Sequence, residues 1–418
     1  MNTSRIKVVF LTFYFEAWDA LADVHSQMLN DPRFDVTVIS IPRRFRKEEP
    51  FGDEAKVSAF LSSQGVRHER FDFDDSIVGL ERLKAMAPDY VFINYPWQRN
   101  YQPGYRVEAL SEFTRVCYVP YYSLALANEP GEAGVTPYLF KQRSNQLASL
   151  VFTQDANTLD AYATTSRGNG YVHLTGTPKI DALVRKVREA QPEWPLGKSG
   201  NRRIVWAPHH SFSVDWFNFG MFPKISMQML HFAKSNPTVD IVMRPHPIMF
   251  GNLVSSGVRT QAELDNWLNE WNSLPNTAVD SAGDIAPLFA ATDLFVTDGI
   301  SFLGEYPLAT GKPSIFFEND AHWPWSPIGK IAARANIHVH SFDEFEEAVN
   351  DVFQNGFPDL GVEIAELQRA AQPYPGQAAA KIVEVVAQDF EAKTPLVDKA
   401  TITEIAWELR PEAEPAWD

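Results

Sequence analysis

The chain has 418 residues, 45% of them hydrophobic, a formal charge of −16 and a single cysteine, Cys117. One core stops growing beyond about 250 to 300 residues, so this length implies two domains. A lone cysteine excludes an internal disulfide framework and a multi-cysteine zinc site, and fits a reducing, cytoplasmic compartment. The acidic balance argues against nucleic acid as a partner and against a strongly basic membrane face, so an anionic ligand has to meet local positive charge.

From the N-terminus, MNTSRIKVVFLTFYF carries a short apolar run that turns polar at Glu16 and Asp19, which reads as a first strand and not as a signal peptide. No stretch reaches the ~20 apolar residues that span a bilayer. Apolar runs at 7–13, 36–41, 90–94, 116–119, 150–153 and 171–174 alternate with amphipathic segments, the pattern of a mostly parallel sheet. Residues 184–202 turn polar and Pro/Gly-containing, and a second alternation follows at 204–207, 240–243, 294–296 and 314–317. The chain therefore reads as an α/β protein with an N-terminal domain over 1–190 and a C-terminal domain over 200–375. A helix over 376–392 packs back across the junction, and an acidic, proline-bearing tail over 393–418 is expected to be peripheral.

Chemistry concentrates at strand ends. Within 280–317, Ile285, Leu288 and Phe289 fall at helical spacing, residues 294–296 form a buried strand, and Thr297, Asp298, Gly299 and Ser301 make a turn into a second helix. Ser301 is the expected N-cap, with the helix dipole and open backbone N–H groups turned toward a pyrophosphate. Glu305, one turn on, is placed to accept from ribose hydroxyls, and Gly311 ends the helix. Arg244 and His246 lie in MRPHP after the strand 240–243, where two prolines fix the turn and an imidazole near neutrality donates to a diphosphate or acts as an acid. His209 and His210 in WAPHHS occupy the equivalent loop after the strand 204–207. Neighbours on a strand point to opposite sides, so one of the two is expected at the ligand while the other packs or caps.

In the N-terminal half, Gly176, Pro178 and Asp181 open a helix, and Asp19, His25, Trp97, Gln98 and Tyr101 follow strands, where aromatic rings stack on sugars or glycerol-bearing chains. No Walker loop, Gly-x-Ser-x-Gly elbow, dinucleotide fingerprint or His-Glu-x-x-His is present, so the reading includes no resident cofactor and no metal.

Taken in order, GTPKID, IVWAP, MRPHP and DIAPLFAATDLFVTDGIS resemble the motifs of the CDP-glycerol glycerophosphotransferase family, the teichoic-acid and capsule polymerases and primases. The resemblance implies a GT-B-like fold: two Rossmann-like domains with parallel sheets facing a cleft, the CDP donor on the C-terminal domain. It implies a transferase moving glycerol phosphate, or a related polyol phosphate, to a hydroxyl of a saccharide, lipid-linked or cell-surface polymer acceptor. It implies His246 and Ser301 near the donor phosphates, with Asp298 and Glu305 in supporting positions. With the reading of the strand-end loops added, His246 is the catalytic candidate and Arg244, His209, His210, Thr297, Asp298, Gly299, Ser301 and Glu305 are the donor-binding candidates. A place at the inner face of the cell membrane is compatible with such an acceptor. Where the family carries an N-domain histidine motif, this chain reads CYVPYYSLALAN over 117–128, without a histidine. Asp19 is the candidate acceptor base, with Trp97, Gln98 and Tyr121 on the acceptor side. A nucleotide-sugar glycosyltransferase, a sugar-nucleotide epimerase and a non-catalytic nucleotide-binding scaffold are the alternatives.

Overall fold

The computed structural model describes residues 5–45, 49–128, 130, 140–281 and 283–402. Most of the acidic tail, 403–418, lies outside the described residues. The described residues within Met1–Ser123, Val135–Ala182 and Ala371–Asp418 form one compact unit, and those within Leu124–Gly134 and Leu183–Ala370 form the other.

The first unit is built on a seven-stranded sheet in the order β3-β2-β1-β4-β5-β6-β7. These strands are β1 Ile6–Thr12, β2 Phe34–Ser40, β3 Glu69–Arg70, β4 Tyr90–Ile93, β5 Arg115–Tyr118, β6 Leu150–Thr153 and β7 Val172–Leu174. Every pairing is parallel, for example Val8 opposite both Val36 and Tyr90. Parallel strands are covered on both faces, which is why β1 buries Val8, Val9, Phe10 and Leu11 in succession instead of alternating. The helix Asp19–Asn30 buries Leu21, Val24 and Met28. The helix Ala378–Ala392 belongs to this unit, reached from the far end of the chain. There Tyr90 donates to Asp389 at 2.5 Å, and Arg115 Nε donates to the Thr394 carbonyl at 2.7 Å. Asp181, singled out in GTPKID, caps the returning segment: its two carboxylate oxygens accept the N–H groups of Gly376 and Ala378, each at 2.9 Å.

The second unit is a six-stranded parallel sheet in the order β10-β9-β8-β11-β12-β13. Its strands are β8 Arg202–Ala207, β9 Val239–Met243, β10 Thr277–Val279, β11 Leu294–Thr297, β12 Ile315–Phe317 and β13 Ile337–Val339. Trp206 on β8 is fully buried against Phe222, Trp267 and Trp271, with ring centroids 5.6, 6.2 and 5.8 Å away. In each sheet the order reverses once, between β1 and β4 and between β8 and β11, and ligands of open α/β sheets bind outside the carboxyl ends of strands at such a point. The strands β3, β10 and β13 were not expected from the sequence. All three lie at or beside sheet edges and are two or three residues long, too short to show a period.

Candidate functional site

The switch point of the second unit gathers the three loops that the sequence marked. After β8, the chain leaves the strand at Ala207, so His209 and His210 are loop residues and the alternation that would separate neighbours on a strand no longer applies. Their rings lie 4.4 Å apart, and His246, from the loop after β9, sits 4.1 Å from His210 and 5.8 Å from His209. The two loops are laced by main-chain bonds, Arg244 N–H to the Trp206 carbonyl at 2.7 Å and His246 N–H to the Pro208 carbonyl at 3.1 Å.

The histidines differ in setting. His209 is buried, with Nδ1 2.8 Å from Ser211 Oγ, and burial together with the neighbouring imidazoles holds its pKa well below the ordinary value. His210 is half-buried, contacts the Asn252 amide at 3.3 Å through Nδ1, and burial pushes it down to about 4. His246 is half-buried and accepts the Ile248 N–H at Nδ1 over 3.4 Å.

Asp298, expected at the donor, is fully buried and faces the protein. One carboxylate oxygen accepts the His209 N–H and the other the Met221 N–H, each at 2.5 Å. Loss of hydration outweighs these bonds and raises the carboxyl to about 7. It positions the histidine loop. Thr297 is likewise spent within the fold, its hydroxyl donating to the Ala207 carbonyl and accepting the Gly299 N–H, both at 2.9 Å. Arg244, expected on the phosphates, turns to the β10 loop, where its guanidinium donates to Asp280 at 2.6 Å and to the Gly283 carbonyl at 2.7 Å. Bracing that loop is what its geometry shows.

The helix after β11 runs Ile300–Thr310, and its N-cap is Gly299, not Ser301. A glycine fits there because a Cβ would come within 3.3 Å of Thr297 Oγ1 and 3.4 Å of His209 Cδ2. Ser301 is the second helical residue and is exposed, so its N–H belongs to the first turn, whose amides lack intrahelical acceptors. Glu305 is buried within the helix. The helix contains Pro307, which removes one N–H and leaves the Leu303 carbonyl open; Asn336 Nδ2 fills that vacancy at 2.9 Å. Gly311 closes the helix with φ 69°.

In the first unit, Tyr14, Tyr95 and Tyr121 meet at the carboxyl ends of β1, β4 and β5, with centroids 4.6 Å (Tyr14–Tyr95) and 5.3 Å (Tyr14–Tyr121, Tyr95–Tyr121) apart. Tyr121 is half-buried and hydrogen-bonded to Trp97, with Lys179 close by. Gln98 does not join them on an open surface: it is buried, accepts the Val107 N–H at 2.7 Å and donates to the Pro96 carbonyl at 3.3 Å. Asp19 begins the helix Asp19–Asn30, while His25 packs edge-on to Phe10 at 5.5 Å and is a core residue.

Sequence reasoning passed over Asn252 and Ser211, the histidines' hydrogen-bond partners. It also passed over Glu318, which receives His322 at 3.0 Å and His338 at 2.5 Å beyond β12. The Asn252–His210 and Glu318–His338 contacts join residues 42 and 20 positions apart, which no local pattern shows. Among the described residues no three His, Cys, Asp or Glu side chains are grouped to hold a metal, and no helix is long and apolar enough to cross a membrane.

The sequence profile of the CDP-Glycerol:Poly(glycerophosphate) glycerophosphotransferase family matches residues 149–323, which include the loops after β8, β9 and β11. Curated protein sequences give no match. Among solved structures, a UDP-N-acetylglucosamine 2-epimerase is similar over 95% of this chain and 99% of its own, at 14% identity and a TM-score of 0.63. The UDP-GlcNAc 2-epimerase from Neisseria meningitidis, bound to UDP-GlcNAc, is similar over 92% of this chain and 100% of its own, at 14% identity and a TM-score of 0.61. The wall teichoic acid polymerase TagF is similar over 94% of this chain and 91% of the TagF chain, at 14% identity and a TM-score of 0.51. At these identities the structures speak for the fold alone, and the profile covers less than half of the chain. The chain has a GT-B-like fold of two Rossmann-like domains, and its residues 149–323 match the profile of the CDP-Glycerol:Poly(glycerophosphate) glycerophosphotransferase family.

Proposed function

We propose that the protein transfers glycerol phosphate, or a related polyol phosphate, from a CDP-activated donor to a hydroxyl of a saccharide, lipid-linked or cell-surface polymer acceptor. The observation that carries this reading is the convergence of His210 and His246 with the first turn of Ile300–Thr310 at one switch point, inside the segment that matches the family. An acceptor oxygen attacks the phosphorus that bears the glycerol, the bond from that phosphorus to the bridging oxygen breaks, and the electron pair leaves on CMP. Such a transition state spreads negative charge with little covalent chemistry, so alignment and hydrogen-bond donors do most of the catalysis. His246 acts at the leaving phosphate, His209 and Asp298 hold the loop, and Asp19 is the candidate to take the acceptor proton. Trp97 and Tyr121 are the acceptor-side residues. A nucleotide donor and a lone cysteine support a cytoplasmic reaction, and a lipid-linked acceptor would draw it to the inner membrane face.

The test is product analysis with CDP-glycerol, UDP-sugars and UDP-GlcNAc in parallel. CMP release from CDP-glycerol, lost in His246→Ala with the melting curve intact, supports the reading. UDP release or epimerised UDP-GlcNAc would replace it by the nucleotide-sugar chemistry of the structural neighbours. CDP binding without turnover of any donor would favour a scaffold, which the histidine-free segment 117–128 motivates.

A further inference from the structure

Among the described residues, five that are not glycine have a positive φ, and three of them, Asp53, Ala87 and Lys393, sit at helix ends. The other two are consecutive, Phe217 at 53° and Asn218 at 52°, in the loop between β8 and the helix Phe222–Ser235. Asparagine tolerates the left-handed region, but a bulky phenylalanine there is strained, and such strain persists only where the surroundings over-determine it. The turn folds the loop back on itself. Phe219 N–H donates to Ser211 Oγ at 3.0 Å, Gly220 N–H donates to the Ser211 carbonyl at 2.7 Å, and Met221 N–H then reaches Asp298. Ser211 Oγ is also the 2.8 Å partner of His209 Nδ1. The return is tight, since a Cβ at Gly220 would stand 2.7 Å from the Ser211 carbonyl oxygen.

The groups that hold this turn come from the loop after β12. Asn319 Nδ2 donates to the Asn218 carbonyl at 2.7 Å, Asn218 Nδ2 donates back to the Ala321 carbonyl at 3.0 Å, and Trp323 N–H donates to the Phe217 carbonyl at 2.9 Å. Asn319 Oδ1 accepts from Lys224 Nζ at 3.0 Å, so a carbonyl on one side and an ammonium on the other fix which way the amide is turned. The β12 loop is a firm anchor. Glu318 N–H donates to the Val339 carbonyl at 2.9 Å, and its carboxylate meets His322 at 3.0 Å and His338 at 2.5 Å. Because β11 lies between β8 and β12 in the sheet, the bonds between their loops form a strap past the carboxyl end of β11, where the helix Ile300–Thr310 begins.

We propose that Asn319 is a positioning residue of the donor site. By holding the Asn218 carbonyl it keeps the strained turn closed, the closed turn presents the Phe219 N–H to Ser211, and Ser211 fixes the His209 ring against which His210 packs, 4.1 Å from His246. Asn319 is only 4% exposed and both ends of its amide are engaged within the fold, so it acts through the β8 loop and not on the ligand. This rests on the donor reading above and adds to it a residue from a neighbouring loop and a strained turn as the element it controls.

The experiment is amide hydrogen exchange of the full chain, read at Phe219, Gly220 and Met221, together with calorimetric titration with CDP. Asn319→Asp keeps the acceptor for Lys224 and puts an oxygen where the donor to Asn218 was. Exchange at the three amides is expected to speed up by about three- to tenfold, and CDP affinity to fall by a similar factor. Asn336→Ala, which removes an amide at the amino ends of β12 and β13, serves as the control: it lowers the melting temperature without either change. In the Asn319→Asp background, Phe217→Gly and Phe217→Ala both remove the ring, but only glycine removes the strain. The glycine variant should therefore exchange more slowly than the alanine variant, by about two- to fivefold. Unchanged exchange in Asn319→Asp, or equal exchange in the two Phe217 variants, would overturn the proposal. Faster exchange with unchanged CDP affinity would overturn it too, because the turn would then not position the donor site. If the wild type gives no calorimetric response to CDP, the donor reading fails, while exchange still decides whether Asn319 holds the turn. Should Asn319→Asp fail to fold, the two Phe217 variants of the otherwise wild-type chain decide: glycine exchanges more slowly and binds CDP more tightly than alanine, or the proposal fails.

Discussion

Asp298→Asn isolates the electrostatic strain at the centre of the second unit. The Asp298 carboxyl is raised from 3.8 to about 7 because it has lost its water and keeps only the His209 and Met221 N–H groups as partners. A carboxyl whose folded pKa lies above its unfolded value binds its proton more tightly in the native state. Its contribution to stability is therefore greatest below the unfolded value of 3.8, declines as pH rises, and is gone above about 7. The shift corresponds to about 4 kcal/mol over the whole range, of which roughly 2 to 3 kcal/mol falls between about pH 5 and about pH 8. The histidines act in the opposite sense: His210, held down to about 4, resists charging in the native state, so its contribution is present above its unfolded value and is lost as pH falls toward about 4.

Because both effects are present in the wild type, the informative quantity is the stability difference between wild type and Asp298→Asn at each pH. Asparagine has no proton to bind and the histidines are common to both proteins, so their terms cancel. Urea unfolding followed by tryptophan fluorescence at pH 5, 6, 7 and 8 measures that difference, with Trp206, Trp267 and Trp271 reporting on this core. The variant is expected to gain on the wild type by roughly 2 to 3 kcal/mol from the lowest to the highest pH. A difference that stays constant within about 0.5 kcal/mol across the series would refute the buried, proton-coupled carboxyl.

Asn336→Ala removes the side chain that serves the carbonyls of Leu303 and Ala332 and accepts from the N–H and hydroxyl of Ser314. Leaving the Leu303 carbonyl buried and open beside Pro307 costs about 1 to 3 kcal/mol, with the other lost bonds adding to it. Thermal unfolding should shift down accordingly, and Asn336→Asp, which keeps the acceptor and loses the donor, should recover only part. Gly329→Ala is the second test of packing. The new methyl would stand 1.9 Å from the Leu126 carbonyl oxygen, whose segment is held by Ser326 through bonds of 2.9 and 2.6 Å to Leu126 and Ala125. Alanine's helix advantage over glycine, about 0.5 to 1 kcal/mol, is outweighed by overpacking of about 1 to 3 kcal/mol. Destabilisation in a denaturant titration is therefore expected, and a neutral or stabilised variant would show that 125–128 yields freely.

The strands β8, β9 and β11 were legible because they are buried on both faces and read as unbroken apolar runs, and the loops after them stood out because proline and histidine cluster there. The directions of side chains in those loops were not legible. Arg244 next to His246 suggests a shared phosphate site until its partner, Asp280, appears 36 residues away across β10, a strand too short to read. Asp298 looks like a ligand residue in TDGIS because nothing local shows that Met221, 77 residues earlier, will donate to it. Ser301 matched the composition of an N-cap, but the cap falls two residues earlier at Gly299, packed beside Thr297 and His209, and the approach of His209 is tertiary. Asp181 is the same lesson in the first unit, since the helix it caps begins nearly two hundred residues later.

The two switch points differ in the chemistry they present, and that difference bears on how the reaction is divided. Imidazoles and the amides of a helix start crowd the carboxyl ends of β8, β9 and β11, groups that donate hydrogen bonds and take up charge. Phenols and an indole crowd the ends of β1, β4 and β5, with Glu16 holding Arg43 at 2.8 Å so that this cation is already neutralised. Burial raises the Tyr95 and Tyr121 hydroxyls above their ordinary range, which leaves them as donors and not as bases. A ring cluster of that kind serves recognition by stacking and hydrogen bonding, and it provides no proton acceptor. The base that the histidine-free segment 117–128 lacks is therefore not replaced by these tyrosines, and in the proposed reaction the proton of the acceptor must go to a carboxylate such as Asp19 or to solvent.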